Sequence, residues 1–75
     1  MSIQVHVTYD HAALQWVVKA TDSQVAYRRT AHKDEAVAAG IQLAKNKRAE
    51  LVVHRMDGTI EYRNSYGNDP YPPRG

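Results

Sequence analysis

The chain has 75 residues, no cysteine and a formal net charge of +2. A chain this short makes one domain, here residues 1–75, and buries only roughly 60% of its unfolded surface. Without cysteine, disulfides and thiolate metal sites are excluded as reinforcement, which leaves local structure, a packed tail or self-association. No apolar run approaches a membrane span, and the opening MSIQVHVTYD lacks a basic-then-apolar leader pattern. The expectation is a cytoplasmic protein without a membrane partner.

The first predicted element is IQVHVTY, which alternates strictly. Ile3, Val5, Val7 and Tyr9 share one face and Gln4, His6 and Thr8 the other, the pattern of a half-buried strand. After a short loop, LQWVVKA alternates again with Leu14, Trp16, Val18 and Ala20 on one side. TDSQ turns the chain into VAYRR. A two-residue turn at Asp22 and Ser23 sets Val18 against Tyr27 and Ala20 against Val25, so that the apolar faces agree across the hairpin.

HKDEAVAAGIQLAKNKR predicts the one helix, acidic at its start and basic at its end as the helix dipole prefers. His32 takes the capping position, with Glu35 three residues on as a capping-box partner. Ala36, Val37, Gly40, Leu43 and Ala44 form a stripe of mostly small side chains that lets the helix lie close to a sheet. LVVHRMDGTIEYRN then reads as a second hairpin. Asp57-Gly58 signals a type I′ turn, which sets Val53 against Tyr62, Arg55 against Ile60 and His54 against Glu61. Leu51, Val53, Ile60 and Tyr62 are its expected core residues. Val17, Val52 and Met56 fall among polar residues on the second face of the sheet.

The ending RNSYGNDPYPPRG is too rich in proline and turn formers for a helix. Residues 65–75 are expected to be a tail that packs on the domain, at least as far as Pro70. Tyr66 would extend a small core, while Tyr66, Tyr71 and Arg74 are the residues with which a recognition tail would bind. The expected fold is α+β in two layers, β-β-β-α-β-β, with one helix on a largely antiparallel sheet. The order 3-2-1-5-4 keeps every neighbour antiparallel.

The chemistry is sparse. There is no glycine-flanked serine, no HExxH, no glycine-rich phosphate loop and no convincing carboxylate pair, so no enzyme, catalytic residue or cofactor is expected. His6 and His54 fall on the outer faces of their strands. They converge only if those strands are neighbours, and a third ligand such as Glu61 would be needed for a metal. The blander reading, exposed strand histidines with no metal site, is the one adopted.

Positive charge is uneven. Residues 28–48 carry Arg28, Arg29, Lys33, Lys45, Lys47 and Arg48 against only Asp34 and Glu35. With Lys19, the residues Arg28, Arg29, Lys45, Lys47 and Arg48 make the candidate nucleic-acid patch. The competing explanation is a solvated helix end, where cations suit the dipole.

Trp16-Val17-Val18, Lys33-Asp34-Glu35-Ala36, LVVHRMDGTI and the ending RNSYGNDPYPPRG together resemble the small bacterial family catalogued as domain of unknown function 2188. The resemblance covers nearly the whole chain, although members usually place threonine or serine where His32 stands. It implies a small α+β domain of bacteria or their phages and assigns no activity. A tryptophan strand, a basic strand and a K-x-E-A helix are also similar, over about half the chain, to the arm-type DNA-binding domains of phage integrases. That likeness implies Gln15, Val17, Lys19 and Arg28 on the sheet face away from the helix. The favoured expectation is a small accessory or regulatory module that binds an unidentified protein or a second copy of itself, with nucleic-acid binding as the alternative.

Overall fold

The computed structural model describes residues 3–67. Its elements are β1 (Gln4–Asp10), β2 (Gln15–Ala20), β3 (Arg28–Thr30), α1 (Lys33–Lys47), β4 (Glu50–His54) and β5 (Ile60–Ser65). The fold is α+β as expected: one helix across one face of a five-stranded, mostly antiparallel sheet.

The strand order is β3-β2-β1-β4-β5, and β1 pairs with β4 in parallel. This corrects the expected order 3-2-1-5-4. The reason lies in burial. Leu51, Val52 and Val53 are all buried, on both faces of β4, whereas every residue of β5 is exposed. Consecutive apolar residues belong in the sheet interior, and Glu61, Arg63 and Asn64 belong at an edge. The helix between β3 and β4 supplies the crossover that a parallel connection needs.

The first hairpin agrees with expectation in its faces: Val7 lies opposite Val18 and Tyr9 opposite Trp16. The second differs. Trp16, Val17 and Val18 lie opposite Thr30, Arg29 and Arg28. Relative to the predicted register the strand has slipped by one residue, and such a slip exchanges the two faces. Thr30 is therefore buried, while Val25 is 72% and Tyr27 46% exposed. The Ser23 hydroxyl donates to the Val25 carbonyl and accepts from the Val25 amide, which holds residues 21–27 as a loop rather than a tight turn.

The helix buries Ala36, Gly40, Leu43 and Ala44, with Val37 half-buried, as its stripe predicts. His32 is the N-cap but makes no side-chain cap, so the capping box with Glu35 is absent. Instead the Thr30 hydroxyl donates to the His32 carbonyl. At the other end Arg48 adopts a left-handed conformation, φ 54°, and its amide donates to the carbonyls of Ala44 and Lys45. The core beneath the helix is Val5, Val7, Trp16, Val18, Ala20, Leu51 and Val53.

The β4–β5 connection is longer than a type I′ turn. The Gly58 amide donates to the Arg55 carbonyl, the Arg55 amide donates to the Thr59 carbonyl, and only Gly58 has positive φ, at 92°. That is a three-residue loop closed by glycine. Val53 faces Tyr62 as predicted, but a register shift between Val53 and His54 sets His54 against Ile60. Glu61 becomes the extra residue and pairs with Lys33 at the helix start. Both residues expected in the core are exposed: Tyr62, 39% exposed, because the helix lies over β1, β2, β3 and β4, and Ile60, 42% exposed, because the register shift carries it to the face of His54, away from the helix.

Tyr66 does pack as expected. It is half-buried against the core, and its amide donates to the Ala49 carbonyl. The adjoining Gly67 lies so close to the Arg48 backbone that a Cβ there would stand 2.0 Å from the Arg48 carbonyl oxygen. Backbone cannot yield as a side chain does. Gly67→Ala is expected to lift Tyr66 from its seat and cost about 1 kcal/mol, read in denaturant melts. An unchanged midpoint would contradict the docking. The rest of the tail, including Tyr71 and Arg74, lies outside the described residues.

Candidate functional site

Among the described residues, no second layer covers the sheet face away from the helix. Strand alternation places Gln4, His6 and Thr8 of β1, Gln15, Val17 and Lys19 of β2, Arg29 of β3, Glu50, Val52 and His54 of β4, and Arg63 of β5 on it. Val52 is only 1% exposed although it faces this way. Its cross-strand neighbours are His6 on β1 and Arg63 on β5, so long polar side chains cover it. Val52, expected among polar residues on this face, therefore needs no partner to bury it.

Those polar side chains form a continuous chain of contacts. His54 Nδ1 lies 3.2 Å from the Gly58 carbonyl oxygen. His54 Nε2 lies 2.9 Å from His6 Nδ1, and His6 Nε2 lies 3.0 Å from Gln4 Oε1. Gln4 Nε2 donates to Glu50 at 2.9 Å, and Glu50 lies 3.6 Å from Arg63. The two imidazoles have centroids 5.1 Å apart and ring planes 30° from parallel. The parallel pairing of β1 with β4 creates this arrangement. In the order 3-2-1-5-4, β5 would stand between the two histidines.

Hydrogen counting constrains the pair. The Gly58 carbonyl can only accept, so His54 Nδ1 carries a hydrogen. Gln4 donates its amide to Glu50 and presents its oxygen to His6, so His6 Nε2 carries one as well. Two neutral imidazoles have only these two hydrogens. Both inner nitrogens then turn lone pairs toward one another. Burial, helped by His54 and Arg63 and opposed by Glu50, holds the His6 pKa below its ordinary 6.5.

A cavity of about 380 Å³ adjoins His6 on this face, lined by Thr8, Val17, Lys19, Ala20, Thr21 and Ser23 as well. Glu61, the third ligand considered from the sequence, is engaged by Lys33 and does not join the pair. Among the described residues no group of three or more His, Asp or Glu side chains has metal-binding spacing.

The structure does not gather the candidate basic residues into one patch. Lys19 and Arg29 are on the open face, and Arg29 is 3.3 Å from Asp10. Arg28, expected on that face, is carried to the helix side by the register slip and lies 5.9 Å from the Tyr27 ring centroid. Lys45 sits 5.8 Å from the Tyr66 ring, Lys47 pairs with Asp22 at 3.0 Å, and Arg48 closes the helix.

Three exposed carboxyls are held below their usual range. The Ala13 amide, then Arg29, act on Asp10; the Thr59 amide and hydroxyl act on Asp57; Lys33 acts on Glu61. A depressed folded-state pKa contributes stability that is present above the unfolded value and lost as pH falls through the folded one. Melting temperature is therefore expected to drop as pH falls below about 4, and less steeply in Asp57→Asn with Glu61→Gln. An equal slope in that double variant would contradict the assignment.

Comparison with known proteins adds the family. The model of the family described as "Uncharacterized protein conserved in bacteria (DUF2188)" matches residues 5–66, most of the chain. The chain belongs to the DUF2188 family. The match spans β1 through β5 and ends at Tyr66, so it includes both histidines of the pair. No curated protein and no solved structure matches this DUF2188 chain. No helix among its described residues is long and apolar enough to cross a membrane.

Proposed function

We propose that this DUF2188 protein is a small non-catalytic binding module of the cytoplasm, accessory or regulatory in role, that acts by pairing with a second copy of itself through β5. The observation that carries the reading is β5 itself, an outermost strand exposed at all six residues. Ile60 and Tyr62 give it apolar surface beyond the helix, with exposed Met56 in the adjoining turn. Leu14, also exposed, belongs to the β1–β2 turn, which His11 ties to the Met56 carbonyl. Glu61 and Arg63 add charge to this edge, Glu61 on the helix side beside Lys33 and Arg63 on the open face beside Glu50. The same charges and the bulge guard the edge against unselective pairing. A partner would also relieve the marginal burial of so short a chain.

Sedimentation equilibrium over a roughly hundredfold concentration range is the test. A monomer–dimer equilibrium and a concentration-dependent melting temperature are expected, both abolished by Ile60→Lys with Tyr62→Lys. A monomer at every concentration with a flat melting temperature would overturn self-pairing. Salt-sensitive retention on heparin that disappears on neutralising Lys19 and Arg29 would favour nucleic-acid binding instead.

A further inference from the structure

We propose that His6 and His54 form a two-imidazole site for one divalent ion of the zinc, nickel or copper class, with water completing its coordination. The inference rests on orientation as well as proximity. Two imidazoles from adjacent strands point their inner nitrogens at one another, 2.9 Å apart. Each outer nitrogen faces an acceptor, the Gly58 carbonyl for His54 and the Gln4 amide oxygen for His6. Metal-ligating histidines characteristically donate their second nitrogen to such an acceptor, which fixes the tautomer and aims the lone pair at the ion. Here both rings are fixed in that way, and both lone pairs face the gap between the rings.

Two lone pairs turned toward one another favour a cation between them. A proton fits the observed separation. A tetrahedral metal with nitrogen ligands at about 2.0–2.1 Å needs them about 3.3 Å apart, so the rings must part by roughly 0.4 Å and tilt until both lone pairs aim at a point beside the line joining the nitrogens. Small side-chain rotations accomplish that on an open sheet face. Borderline metals suit imidazole, whereas calcium and magnesium require oxygen ligands. The cavity beside His6 admits the water that fills the remaining positions. Glu50, reached through Gln4, contributes negative charge nearby, and Arg63 opposes it.

The experiment titrates Zn²⁺ alone into the full chain at neutral pH, followed by calorimetry and by imidazole nitrogen NMR signals. One equivalent is expected to bind, with His6 Nδ1 and His54 Nε2 shifting while His11 and His32 do not. His6→Gln and His54→Gln, checked for folding by circular dichroism, should each weaken binding by at least about tenfold. His11→Gln and His32→Gln should leave it unchanged. Absence of saturable binding, or saturation with no movement of the His6 and His54 signals, would overturn the proposal whether or not the variants fold.

Discussion

Gly40→Leu is expected to cost about 3 kcal/mol of stability, which for a domain of this size lowers the melting temperature by roughly 15 °C. Gly40 is where the helix approaches the sheet. A Cβ added there would lie 2.9 Å from Val7 Cγ2 and 3.0 Å from Leu51 Cδ1. Val7 and Leu51 are fully buried and have little room to retreat. A leucine must therefore lift the helix from β1 and β4, opening the core under Ala36 and Ala44. Gly40→Ala is the informative comparison. Alanine gains about 1 kcal/mol of helix propensity, offset because Val7 must shift to admit even one methyl group. The leucine variant should be much the weaker of the pair. Equal melting temperatures would mean that the helix does not sit where described.

Leu51→Ala is expected to cost a similar amount, about 3 kcal/mol. Leu51 is fully buried in the middle of the sheet, with Val5 opposite on β1 and Asn64 on β5. The helix closes over it, so a cavity left there cannot collapse easily. The variant also reports on strand order. Were β4 the outer strand, the same truncation would leave a site that water and neighbouring side chains can fill, at a cost well below the buried value. A loss under about 1 kcal/mol would contradict the interior placement of β4.

Much of this fold was legible in the residues. The alternation of Ile3 to Tyr9 and of Trp16 to Ala20 defined both strands and their core faces. Leu14, expected on the core face of the second strand, instead lies 69% exposed in the turn before β2, with positive φ. The small stripe of Ala36, Gly40 and Ala44 identified the helix face. Tyr66 was legible too, because an aromatic just past the last strand of a small domain has reason to pack. Two features escaped for physical reasons. The β2–β3 register depends on the Ser23 hydroxyl holding Val25, a local bond that competes with a two-residue turn. Pairing Tyr27 with Val18 satisfied apolar matching and still put the strand one residue out. A preference for antiparallel neighbours over burial gives the wrong strand order. Leu51-Val52-Val53 is a continuous apolar run, the signature of an interior strand, and it outweighed that preference.

The same error hid the candidate site. The alternation puts His6 and His54 each on the correct face and so admits their meeting. It depended on β1 and β4 being neighbours, which the assumed order denied. Glu61 as third ligand depended on a tight Asp57-Gly58 turn, and the extra residue in β5 carried it to Lys33 instead. The basic residues were visible in the sequence but not their engagements. Asp10 and Asp22 lie far from their partners along the chain, so only the folded sheet shows that Arg29 and Lys47 are paired.

Everything assigned to the open face rests on β1 lying parallel to β4. The most direct test is the set of backbone proton NOEs between strands, recorded on isotope-labelled protein in solution. Parallel pairing in the register Gln4 with Glu50 through Val7 with Val53 predicts sequential amide-to-Hα cross-peaks linking β1 to β4, and His6 close to both Val52 and His54. Strong Hα–Hα cross-peaks between β1 and β5, with none from β1 to β4, would instead mark an antiparallel β1–β5 pair and contradict the account.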